Sequence, residues 1–150
     1  MAWTSFIPTA TMRDALNNTI ALDIGSVSSP DALKVALYDT SYAQTIDTDP
    51  LTYATTNEVT GTNWAAGGVA LAGNALTLSA GAGLKFDATD VSVVSTTISS
   101  GAFGCLIYDN TITPHAGIVA VWFGGTGYTT NNGTFGITWD AAGIYTVTLH

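Results

Sequence analysis

Ser99–Tyr108 reads SSGAFGCLIY and Gly117–Phe123 reads GIVAVWF. Both runs are almost continuously apolar, and both are short and bounded by glycine, which favours strand over helix. A strand that is apolar on both sides must be covered on both sides, so these segments are read as the heart of a sheet. Outward from them the pattern becomes period two. Leu76 and Leu78 mark a strand over Ala75–Ser79, Leu84 and Phe86 one over Gly83–Asp87, and Val91 and Val93 one over Asp90–Ser95. Phe135, Ile137 and Trp139 alternate over Thr134–Trp139, Ile144–Leu149 closes the chain, and LKVALY at Leu33–Tyr38 opens the strand series. Asn132-Gly133 before Thr134 predicts a hairpin turn, because both residues tolerate positive φ.

Helical spacing occurs once. Thr11 with Asp14 resembles a capping box, and Met12, Leu16 and Ile20 recur at intervals of one turn, which predicts a helix over Met12–Leu22. Asp49-Pro50 could start a second helix at Leu51–Ala54, but the threonine content limits this to a short helix or an irregular excursion. The expected fold class is therefore all-β: an antiparallel β-sandwich or related barrel with one short N-terminal helix, in a single domain over residues 1–150. Residues 1–10 form an extended apolar arm.

The surface of this domain is unusual. Of 150 residues 9% are charged, with 11 acids against 3 bases and a net charge of −8. No basic stripe exists to displace counterions from a phosphate backbone, which argues against a nucleic-acid partner, and an anionic membrane surface is disfavoured for the same reason. No apolar run approaches the roughly 20 residues of a spanning helix. The N-terminal residues carry no basic segment followed by an apolar core, so synthesis in a cytoplasm is expected. Cys105, the single cysteine, lies within an apolar run and reads as a small buried hydrophobe.

Chemistry-bearing groups are sparse. His115 sits in the turn-like TPHAG and His150 ends the chain, neither with an acid or nucleophile at motif spacing. Glu58 is the sole glutamate, so a carboxylate pair for glycoside hydrolysis would have to recruit Asp87, Asp90, Asp109 or Asp140. Asp47 with Asp49, or Asp87 with Asp90, could offer oxygens to Ca²⁺, but the remaining ligands of a calcium loop are missing, and turn capping is the simpler role. The glycine pairs at Gly67-Gly68 and Gly124-Gly125, and Gly81 with Gly83, lack the Lys-Ser/Thr of a phosphate loop and read as turns. No catalytic residue, metal or cofactor is assigned, and an enzyme is not expected.

Open sheets normally guard their edges with lysine, proline or inward charge, and this chain has almost none of these. Its apolar faces and edges are expected to be covered by other subunits, in a homo-oligomer such as a dimer or trimer. Trp3, Phe6 and Ile7 of the arm are candidates for that interface, since exposing them costs several kcal/mol. Trp64 and Tyr128, in polar glycine-rich surroundings, are candidates for stacking on a sugar ring under an alternative reading.

Taken in order, DALKVALYDTS (Asp31–Ser41), NEVTGTNWAAGGVAL (Asn57–Leu71), KFDATDVSVV (Lys85–Val94), GCLIYDN (Gly104–Asn110), IVAVWFGG (Ile118–Gly125) and GTFGITWDAAGI (Gly133–Ile144) cover most of the chain. Their order and spacing resemble a family of small virion proteins of tailed bacteriophages, mainly those infecting actinobacteria, described as head decoration or minor structural proteins. The resemblance implies a non-enzymatic β-protein on the capsid exterior, bound to the major capsid protein and reinforcing contacts between its subunits. It offers no catalytic motif. The competing readings are a phage tail component or host-glycan-binding module, and a free-standing secreted carbohydrate binder.

Overall fold

The computed structural model describes residues 5–25, 31–42, 51–79 and 83–148. Among these residues one helix, α1 (Thr9–Leu16), precedes ten strands: β1 (Leu33–Tyr38), β2 (Glu58–Val59), β3 (Val69–Ala70), β4 (Ala75–Ser79), β5 (Gly83–Asp87), β6 (Val91–Ala102), β7 (Gly104–Asp109), β8 (Gly117–Trp122), β9 (Tyr128–Ile137) and β10 (Tyr145–Thr148). All named strand pairings are antiparallel. The first sheet runs β2-β1-β7-β8 with β3 also on β1, the second runs β10-β5-β4, and β6 and β9 make a long ribbon. The all-β class with one short helix thus holds.

The sandwich-like arrangement follows from where alternate side chains go. Leu33, Val35 and Leu37 of β1 and Cys105 and Ile107 of β7 share one core with Phe86 of β5, Val91 and Ile98 of β6, and Phe135 and Ile137 of β9. The opposite face of the first sheet carries Ala36, Tyr38, Leu106, Tyr108 and Ala120, covered by Phe6, Leu51, Tyr53 and Trp122. All six residues of β7 are buried, and the apolar GCLIY run is explained by this cover on both sides.

Local expectations fare unevenly. β1, β4 and β5 have the predicted limits, whereas SSGAFGCLIY is split at Phe103 between β6 and β7. The helix starts three residues early and ends six early. Its N-cap is Pro8, and Asn17 and Asn18 (φ 55°) terminate it. Thr11 does not cap; its buried hydroxyl donates to Gly117 O at 2.8 Å, tying helix to sheet. Asn132-Gly133 makes no hairpin turn. Asn132 adopts φ 49° inside β9, where the register against β6 shifts, and its N–H is held by Thr97 Oγ1 at 3.1 Å. Its tolerance of positive φ serves a bulge, while the connection from β8 is made by Gly124 and Gly125, both at positive φ. Leu51–Ala54 is extended, with Thr52 bridged to Ala116. Asp49-Pro50 falls outside the described residues.

Candidate functional site: an uncovered strand edge and its cleft

The described part of the arm, from Ser5, lies against its own sheet. Phe6 exchanges both backbone hydrogen bonds with Ala120 of β8, at 2.9 and 3.0 Å, and Ser5 Oγ accepts from Trp122 N–H at 2.9 Å. Farther along the same edge, Gly117 N–H donates to Leu51 O and Tyr53 N–H to His115 O, at 2.6 and 2.9 Å. The edge of β8 is thus covered in cis. Phe6 and Ile7 are half-buried, on the second cluster and the main core respectively. The solvent cost that assigned them to a partner is met within the chain. Trp3 lies outside the described residues.

Trp64 and Tyr128 part company. Trp64 is 0% exposed and meets Phe135 edge-on at 5.2 Å, so it is a core residue and no sugar platform. Its polar flanks misled because Gly61 and Trp64 bond backbone to backbone in a tight turn that folds the ring inward. Tyr128 is half exposed and stands nearly perpendicular to Phe123, centroids 6.0 Å apart. Together with Thr129, Thr130, Phe135, Ile137 and the outer residues of β9 they line a cleft of about 400 Å³.

That cleft flanks a strand edge. Thr134, Phe135, Gly136, Ile137 and Thr138 all line it, although alternate side chains of a strand point to opposite faces. Gly133 O accepts from Thr96 Oγ1 of β6 at 3.0 Å, and Trp139 N–H donates to Asp90 Oδ1 at 3.0 Å, so the odd residues turn their backbone toward β6. A Cβ placed on Gly136 would lie 3.6 Å from Val91 O, which puts that carbonyl on the β9 side as well. By alternation the N–H and C=O groups of Thr134, Gly136 and Thr138 point outward, into the cleft. Among the described residues no turn, loop or side chain hydrogen-bonds these groups. This edge and the lining residue Phe123 were not singled out in the sequence. The Thr-Gly-Thr alternation at Thr134, Gly136 and Thr138 was the available signal.

The ionisable groups are engaged in structure. Glu58 accepts from Tyr53 OH and from Gly67 N–H, both at 2.7 Å. Burial, then the Glu58 charge, pushes the Tyr108 phenol up to about 12, and burial and the hydrogen bond to Glu58 raise Tyr53. His115 Nδ1 lies 3.0 Å from Ile112 O, with its ring tilted against Tyr53 and Tyr108. Asp87 pairs with Lys85 at 2.8 Å, which holds its carboxyl below the usual range, while Asp90 and Asp140 accept from backbone N–H groups. Neither Asp87 nor Asp90 is left aimed at a shared cation, and Asp47 and Asp49 lie outside the described residues. Cys105 is fully buried, and burial raises its thiol. No group of three or more His, Cys, Asp or Glu side chains able to hold a metal occurs among the described residues.

No family model, curated protein or solved structure matches the chain. No helix among the described residues is long and apolar enough to cross a membrane.

Proposed function

We propose that this protein is a non-enzymatic structural subunit that decorates the exterior of a tailed-bacteriophage head and adds buried interface between major capsid subunits. The observation that carries the assembly half of this reading is the surface. Leu78 is 86% exposed, and Leu16, Leu76, Val94 and Tyr128 are also exposed, on a chain with only 9% charged residues. Large exposed apolar side chains and an uncovered sheet edge are both features of surfaces that meet protein. The capsid half rests on the sequence resemblance. Any ligand that binds only the assembled shell stabilises it by linkage, so each bound copy raises its resistance to rupture. The protein would be made in the host cytoplasm and reside on the virion, with no cofactor, nucleic-acid or membrane partner.

Counting copies on purified particles by gel densitometry, with cryo-electron microscopy for location, tests this. Hundreds of copies on the head are expected; a handful at the tail would replace it with the tail reading. One observation favours that second reading: the cleft at Tyr128 combines an exposed aromatic ring with threonine hydroxyls and no charged side chain, a surface suited to a neutral glycan. Host-cell binding by the purified protein, lost in Tyr128→Ala, would support it.

A further inference from the structure

We infer that the outer edge of β9 pairs antiparallel with the same edge of a second copy of this chain, with Gly136 at the two-fold axis. The inference deepens the assembly reading by naming one of its surfaces.

Three observations support this edge and this occupant. The first is the contrast with edges that the chain covers itself. It covers the edge of β8 with Phe6 and Leu51, meets β6 through a hydrogen bond from Thr62 N–H to Thr97 O at 3.2 Å, and passes Gly25 so close to β4 that a Cβ there would clash with Leu76 N. At Thr134, Gly136 and Thr138 the described residues supply no such cover, and the cleft beside them leaves room for a strand. A row of outward backbone groups spaced two residues apart is what an added strand recognises.

The second observation is charge. Two copies of a chain with net charge −8 repel one another unless they meet along a neutral strip. From Asn110 to Trp139 the sequence contains no acid or base except His115, so β9 is such a strip. Because the strip is neutral and short of anchoring charge, it offers a basic or acidic partner no complement.

The third is self-complementarity. In an antiparallel pair centred on Gly136, Thr134 of one copy faces Thr138 of the other, and the outward N–H and C=O groups of all three residues are used in each copy. Thr–Thr pairs opposite one another are favourable in sheets. Glycine at the axis brings no side chain to either face of that hydrogen-bonded pair. A closed two-fold pair leaves no edge at this site for further growth.

The test uses the full chain in solution. Sedimentation velocity across a concentration series should show a monomer–dimer equilibrium. Thr134→Lys with Thr138→Lys sets like charges face to face across the pair and should shift the protein to monomer. Thr134→Lys with Thr138→Glu sets opposite charges face to face and should restore the dimer, which a general surface effect would not do. In the native sequence, the amides of Thr134, Gly136 and Thr138 should exchange with solvent more slowly as concentration rises. A chain that stays monomeric up to millimolar concentration with those amides unchanged, or a double-lysine variant that dimerises as before, overturns the inference. So does a cleft that takes an oligosaccharide without competing with self-association. None of these outcomes touches the copy number on a particle, so failure here and failure of the decoration reading are separable.

Discussion

The edges of β8 and β9 pose the same physical problem and are treated in opposite ways. Each is an outer strand with backbone groups that need partners. At β8 the chain solves the problem itself: Ser5, Phe6, Leu51 and Tyr53 supply hydrogen bonds, and Phe6 and Leu51 add apolar cover to the face beside them. At β9 no described residue does so, and a cleft stands in place of a neighbouring strand. The difference teaches that low charge alone does not specify intermolecular contact. Cover from within is available where a distant segment can reach, and at β9 no described segment reaches.

The largest break in this comparison should come from cutting the arm. Removal of residues 1–8 strips Phe6, Ile7 and Pro8 from the fold and should cost about 3 kcal/mol in urea denaturation. A loss under about 1 kcal/mol would mean the edge of β8 does not depend on its cover. Next, Thr11→Val removes the buried hydroxyl bonded to Gly117 O and should cost about 1 kcal/mol by the same measurement, because that carbonyl loses its helix-side donor. Thr134→Lys on the open edge should change unfolding free energy by less than about 0.5 kcal/mol. Equal losses at Thr11 and Thr134 would erase the distinction between the two edges.

A pH series sharpens the picture at the end of β7. Asp109 is buried, with Oδ1 accepting from Thr111 N–H at 2.6 Å and Oδ2 without a donor. Burial, followed by the facing Asp31 carboxyl, raises its pKa. The folded state therefore keeps this proton to a higher pH than the unfolded chain does. Its stabilising effect is full below the ordinary value of about 3.9 and is lost as pH rises through the raised one. The melting temperature of the native protein should decline over that window relative to Asp109→Asn, whose amide donates at every pH. Parallel melting curves for the two proteins would refute the assignment.

Much of the fold was legible in the sequence wherever one short-range rule decided it. Period two located β4 and β5 to the residue, and the two apolar runs identified β7 and β8 because cover on both faces removes the need for alternation. The failures share a cause in contacts between distant residues. Phe103 breaks its run because its N–H bonds Tyr38 O and its C=O accepts from Phe123, a choice made by tertiary structure. Asn132 looked like a turn because positive φ serves bulges and hairpins alike. Trp64 looked exposed because its neighbours are polar, yet its ring is placed by Phe135, 71 residues away. Of the candidate residues, Tyr128 lies on the cleft, whereas the open edge beside it was illegible, since an edge is defined by the strand that is missing.

Cys105 is the second residue of the interior strand β7, opposite Leu37 on one side and Val121 on the other, with no exposed surface. A thiol reagent can therefore reach sulfur only when the middle of the first sheet comes apart. Its rate of modification becomes an internal clock for the deepest opening of the molecule, readable on free protein and on the same protein held in a particle.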